Sequence, residues 1–133
     1  MKLIYLLSLS FLIACSQNID DSNYYKILKQ LELYESIRPN TFVDADGTYS
    51  ESFWGDKINL NVNITNSAKI AKFKDIKIRV SYYSKTESII TSEDHIIYEV
   101  VNPQQTLTKK IQVKNYQDTN SIGWHVVDAV SSY

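Results

Sequence analysis

The chain has 133 residues, with 14 basic against 15 acidic side chains and a formal net charge of −1. That near balance, without a basic cluster, excludes a nucleic-acid-binding face and a polybasic stretch that reads anionic lipid. A single cysteine, three glycines and two prolines exclude an intramolecular disulfide, a cysteine-rich metal site and a low-complexity linker.

Met1-Lys2 is followed by an apolar run from Leu3 to Phe11 and then by Leu12-Ile13-Ala14-Cys15. A positive start, a short apolar stretch and a small residue before the cut are the order of an export signal. The run is shorter than the roughly 20 residues that a membrane-spanning helix needs. Leu12-Ile13-Ala14-Cys15 is similar to the lipobox of bacterial lipoproteins. The resemblance implies cleavage after Ala14, acylation of the Cys15 thiol (palmitate among the chains) and durable attachment to a cell-envelope membrane. An Asp after the cysteine retains such proteins at the inner membrane of enteric bacteria. Ser16 stands there instead, which implies the outer membrane, on its periplasmic or its exposed side.

Loss of residues 1–14 leaves 119 residues of net charge −2, enough for one domain. Folding a chain of that length buries roughly 65% of its unfolded surface. With Cys15 acylated, the core alone must hold the fold. Residues 15–22 are polar and read as a lipidated tether, and residues 23–133 as a helix followed by one β-domain.

Tyr24, Ile27, Leu28, Leu31 and then Tyr34 or Glu35 fall at helical spacing, which predicts an amphipathic helix over 23–36. Asp21 or Ser22 is positioned to cap its start, and Arg38-Pro39 closes it. Beyond it, Ile58, Leu60, Val62 and Ile64 alternate with Asn59, Asn61, Asn63 and Thr65. Ile76, Ile78, Val80 and Tyr82 alternate with Lys77, Arg79, Ser81 and Tyr83. Period-two runs of this kind are strands with one face in the core and one in water. Further strands are expected over 41–49, 95–101, 107–116 and 122–130. Turns are expected at Asn66-Ser67, Ser92-Glu93-Asp94, Asn102-Pro103 and Asp118-Thr119-Asn120. The expected fold is mostly β: an antiparallel, immunoglobulin-like β-sandwich of six to seven strands preceded by one N-terminal helix.

Phe73-Lys74-Asp75-Ile76 through Tyr82-Tyr83-Ser84-Lys85-Thr86, then Ile97-Tyr98-Glu99 and Asn102-Pro103, resembles a small immunoglobulin-like module of bacterial envelope lipoproteins, close to the FxLYD-type domains. The shared features are a strand ending in Asn, a strand ending in an aromatic pair and a Pro turn before the next strand. The resemblance spans roughly residues 55–130 and departs at Gln104, where those domains usually have Gly. It implies a fold and no catalytic residues.

Candidate chemistry is sparse. Asp44-Ala45-Asp46-Gly47 has the flavour of a calcium loop, but glycine follows the second Asp too soon for an EF-hand. Asp46-Gly47 reads more readily as a hairpin turn, with an ion in an irregular loop as the other reading. His95 stands among Glu93, Asp94 and Glu99 on an expected solvated strand edge, and His125 and Asp128, three positions apart, point to opposite faces of a strand. No transition-metal ligand spacing, phosphate-cradling glycine loop or nucleophile elbow occurs. Neither a cofactor nor a catalytic residue is therefore expected. Tyrosine is abundant at ten residues, and the aromatic pairs Phe53-Trp54 and Tyr82-Tyr83 stand out. One of two adjacent strand tyrosines must face outward, so Tyr83, Trp54 and Phe53 are the candidate binding surface, weighed against simple cross-strand pairing. The expectation is a non-enzymatic, lipid-anchored envelope module that binds a protein or glycan or serves a structural role. The rival readings are an inhibitor or immunity lipoprotein that blocks a secreted enzyme or toxin, and an envelope hydrolase.

Overall fold

The computed structural model describes residues 20–132. The export segment, Cys15 and the first part of the tether lie outside the described residues. Helix α1 spans Asp21–Ser36, starting two residues before the spacing predicts. Asp20 is the cap: its carboxylate accepts from the Ser22 backbone N–H at 3.4 Å and from Ser22 Oγ at 3.0 Å. Pro39 ends α1 and opens the single turn α2, Pro39–Phe42.

Six strands follow: β1 Val43–Glu51, β2 Lys57–Asn66, β3 Lys72–Tyr83, β4 Ile89–Ile97, β5 Thr106–Lys114 and β6 Ser121–Ser132. They form two antiparallel three-stranded sheets, ordered β1-β2-β5 and β4-β3-β6. The two sheets face each other across one buried core as a β-sandwich.

The alternation in β2 and β3 is what packs the two sheets together. Ile58, Leu60, Val62, Ile64, Ile76, Ile78 and Val80 are all buried, while Asn61 faces solvent and Lys77 is half-exposed. Val62→Ala or Ile78→Ala is expected to cost about 1–4 kcal/mol through lost burial and the cavity left. Asn61→Ser or Lys77→Ser is expected to cost under about 0.5 kcal/mol. Chemical denaturation of the four variants checks this, and equal losses in both pairs would contradict the register.

Three expectations need correction. Asp46-Gly47 is not a turn: Gly47 pairs with Val62 in the middle of β1. Its φ is +136°, and a Cβ there would lie 1.8 Å from the Asn61 carbonyl oxygen. Glycine is required by the close approach of two strands rather than by a reversal. The chain reverses later, at Ser52–Asp56. Second, Ser92-Glu93-Asp94 lies inside β4, which runs over 89–97 and not 95–101. The turn into it is at 84–88, closed by the Ser84 N–H to the Ser88 carbonyl at 2.9 Å, with Glu87 at φ +63°. β4 is a sheet edge, so polar side chains are tolerated along it and mimic a turn in the sequence. Third, β3 begins four residues early. A bulge at Asp75, φ +49°, lets Phe73 and Ile76 both reach the core although they are three positions apart, an odd spacing that regular alternation would put on opposite faces.

Candidate functional site

β2 separates two ends of the sandwich. Ten residues of strand span about 30 Å. At one end α1 and α2 join the β2–β3 connection, and at the other lies the β1–β2 hairpin.

The helix end is held by two buried polar side chains. Glu35 stands in line with the apolar stripe of α1, yet it is only 1% exposed. Its carboxylate accepts from the backbone N–H groups of Lys69 at 2.8 Å, Ile70 at 2.9 Å and Ala71 at 2.8 Å. Burial pushes this carboxyl's pKa up, but the three N–H groups and the nearby Lys69 charge outweigh it and hold the pKa below its ordinary value. Asn66 ends β2 and is fully buried. Its amide donates to the Ala71 carbonyl at 2.8 Å and the Val101 carbonyl at 3.1 Å, and its side-chain oxygen accepts from the Ala68 N–H at 3.0 Å. Sequence reasoning noted both residues only by position. The missed signal for Glu35 is an acid in the last helical turn, where the helix dipole disfavours it. Such a residue needs a specific partner.

The hairpin end is different. The Gly55 N–H bonds to the Ser52 carbonyl at 2.9 Å, which makes Phe53 and Trp54 the two central residues of a β-turn. Ser52 Oγ donates to Asp56 at 3.1 Å and accepts from the Lys57 N–H at 3.2 Å, and Gly55 at φ +71° lets the chain exit. The turn is also tied to the β5–β6 connection, since Asn115 donates to the Gly55 carbonyl at 2.8 Å. On this braced turn Phe53 is 92% and Trp54 84% exposed. Their rings pack edge to face, 5.0 Å apart. Tyr83 is at the same end of the sandwich but only half-exposed. Its ring edge lies beside Gly123, at a distance where a Cβ would make an ordinary van der Waals contact of 3.8 Å. Tyr82, its neighbour, is core.

Beside Tyr83 the β3–β4 and β5–β6 turns enclose a polar groove of about 360 Å³ lined by Ser84, Lys85, Thr86, Asp118, Thr119 and Asn120. Hydroxyls, an amide, one cation and one carboxylate make a hydrogen-bonding surface of the kind that takes a polar ligand edge.

A second polar cluster sits where β4 approaches β5. Tyr116 donates its hydroxyl to Glu93, and His95 Nε2 is 3.6 Å from the other oxygen of that carboxylate. The Tyr82 and Tyr116 rings meet edge to face at 4.8 Å. Burial, then the Glu93 charge and Tyr116, push the Tyr82 phenol up to about 12. The hydrogen bond to Glu93, then burial, raises Tyr116. The Tyr116 hydroxyl is thus committed to the Glu93 carboxylate, while His95 Nε2 is buried without a hydrogen-bond partner among the described residues. His125 is exposed on β6. Asp44 and Asp46 point outward from β1, and the Asp44 carboxylate accepts from the adjacent Ala45 N–H at 3.0 Å. Among the described residues no three His, Cys, Asp or Glu side chains converge on one point.

No protein-family model matches the chain, and comparison with curated proteins and with solved structures found no match. The site therefore rests on its own geometry.

Proposed function

We propose that this chain is a lipid-anchored cell-envelope protein that binds a protein or glycan partner through its hairpin tip. The observation that carries the reading is the Phe53–Trp54 pair, almost fully exposed on a turn that is braced rather than loose. Soluble domains seldom leave two large rings in water at a single turn without a partner for them. Covering both rings removes on the order of 300 Å² of apolar surface, about 7 kcal/mol before the cost of association. The polar groove at the same end supplies the rim of hydrogen-bonding groups that surrounds such an anchor. With Cys15 in the outer membrane, the sandwich holds the tip about 30 Å from the end where the tethered helix joins. Inhibition of a secreted enzyme or toxin would use the same two rings as a plug.

The test is crosslinking in native membranes followed by identification of what is captured. Phe53→Ala with Trp54→Ala is expected to leave stability within about 0.5 kcal/mol of wild type and to abolish capture. Cys15→Ser is expected to release the chain from the membrane fraction or to leave the precursor uncut. Undiminished capture by the double variant sinks the tip, and a Cys15→Ser chain that is processed and membrane-bound like wild type sinks the anchor.

A further inference from the structure

α1 is an arm rather than a packed element. Of its 16 residues only Glu35 and Ser36 are buried, both at its last turn. The stripe predicted to face a core is mostly open: Tyr24 is 49%, Ile27 60% and Tyr34 50% exposed, and Leu28 and Leu31 are only half-buried. Tyr34 is partly occupied by Arg38, whose guanidinium lies 4.0 Å from the ring centre, and by Phe42, edge to face. A lone helix of this length is marginal in water even when rich in alanine. This one contains no alanine and three tyrosines. The stripe needs a cover.

The chain upstream restricts what the cover can be. Five residues separate Cys15 from Asp21, at most about 20 Å of fully extended chain. That is less than the helix's own length of about 24 Å. If acyl chains on Cys15 sit in the bilayer, the start of α1 cannot leave the neighbourhood of the headgroups. Tyrosine beside aliphatic side chains is the composition that settles at that boundary, ring in the acyl edge and hydroxyl in water. No helix of the described residues is long and apolar enough to cross a membrane. Charge does not compete: Asp21, Glu32 and Glu35 against Lys26 and Lys29 leave α1 at −1.

We infer that the stripe of Tyr24, Ile27, Leu28, Leu31 and Tyr34 lies in the headgroup region of the bilayer that holds the Cys15 lipid. The inference rests on the anchor reading given above. The contact is hydrophobic and interfacial, so zwitterionic lipid suffices for it. It makes the helix a second point of attachment beside the acyl chains and orients the end bearing α1 toward the membrane.

The test uses the acylated full chain in phosphatidylcholine vesicles, at a protein density low enough for one molecule per vesicle. Acylation blocks Cys15, so a cysteine introduced as Ile27→Cys or Lys29→Cys is the sole site for a nitroxide label. These two positions lie about 200° apart around the helix. At position 27 the label is expected to favour collision with lipid-dissolved oxygen, and at position 29 with a water-soluble nickel complex. Equal access of the nickel complex to both positions overturns the inference and leaves the anchor standing. Protection at position 27 that appears only when several copies share a vesicle and is lost at one molecule per vesicle also overturns it, because the cover is then a second copy. A mass spectrum showing Cys15 without acyl chains overturns anchor and inference together.

Discussion

Asn66→Asp is expected to destabilise the fold by on the order of 3–5 kcal/mol, although the two side chains have nearly the same shape. The amide of Asn66 points its N–H groups at the carbonyls of Ala71 and Val101 while its oxygen accepts from Ala68. Aspartate keeps the acceptor and removes both donors. It then sets a carboxylate oxygen against two carbonyl oxygens at a fully buried position, with no cation among the contacts to offset it. Asn66→Ala removes the repulsion but takes their side-chain partner from the Ala68 N–H and the Ala71 carbonyl, while the Val101 carbonyl keeps the Phe73 N–H, and is expected to cost on the order of 3 kcal/mol. The ordering is the diagnostic part. An ordinary polar surface site would tolerate aspartate best, whereas this site should tolerate it least. Urea denaturation at pH 7 measures it, and an Asn66→Asp variant as stable as Asn66→Ala would contradict the hydrogen-bond assignment. Because Asn66 joins the end of β2 to both the β2–β3 and β4–β5 connections, the loss should appear in global unfolding and not as local fraying.

Glu35→Ala is expected to cost on the order of 3 kcal/mol at neutral pH, since it orphans the three N–H groups at residues 69–71. Glu35→Gln retains one acceptor oxygen but turns an NH2 toward a donor, so it rescues only part of the loss. The pH dependence separates the charge from the packing. The folded carboxyl has its pKa lowered from 4.5, so the unfolded chain binds the proton more tightly. The contribution of Glu35 is then fully present above about pH 4.5 and is lost as pH falls through the lowered folded value. Wild type should therefore lose stability below that point more steeply than Glu35→Ala, and the two curves should converge in acid. Denaturant midpoints between pH 7 and pH 3 check this. Parallel curves would mean that the carboxylate is not what holds α1 to the sandwich.

The two hairpin-tip rings and the two buried polar clamps differ in how they show in the sequence. Phe53-Trp54 is visible as an aromatic pair, but its exposure depends on where the chain reverses. The sequence predicts the reversal at Asp46-Gly47 and it occurs at Ser52–Asp56, because Gly47 serves a close approach to the Asn61 carbonyl that only the pairing with β2 creates. Tyr83 was expected to face outward by simple alternation. It is half-exposed at a point where the register shifts between Tyr82 and Tyr83, with its ring edge beside Gly123.

What the sequence by itself determined is the local, periodic part: the helix with its proline stop, and β2, β3, β5 and β6. In these segments apolar residues recur every second position or about every 3.6, and a repeated pattern is read from neighbours along the chain. The alternation of Ile58 to Ile64 and Ile76 to Val80 was sufficient to name the core face before any partner strand was known. Tertiary structure alone decided the rest. An edge strand such as β4 carries polar residues because only one side is paired, and the Asp75 bulge breaks the period that would have revealed the start of β3. Glu35 and Asn66 gain their roles from backbone groups brought near by folding, across as many as 36 residues of sequence. The apolar stripe of α1, which periodicity assigns to a core, is left uncovered because the sandwich fills its own interior with the facing sheets and offers the helix contact only at its last turn.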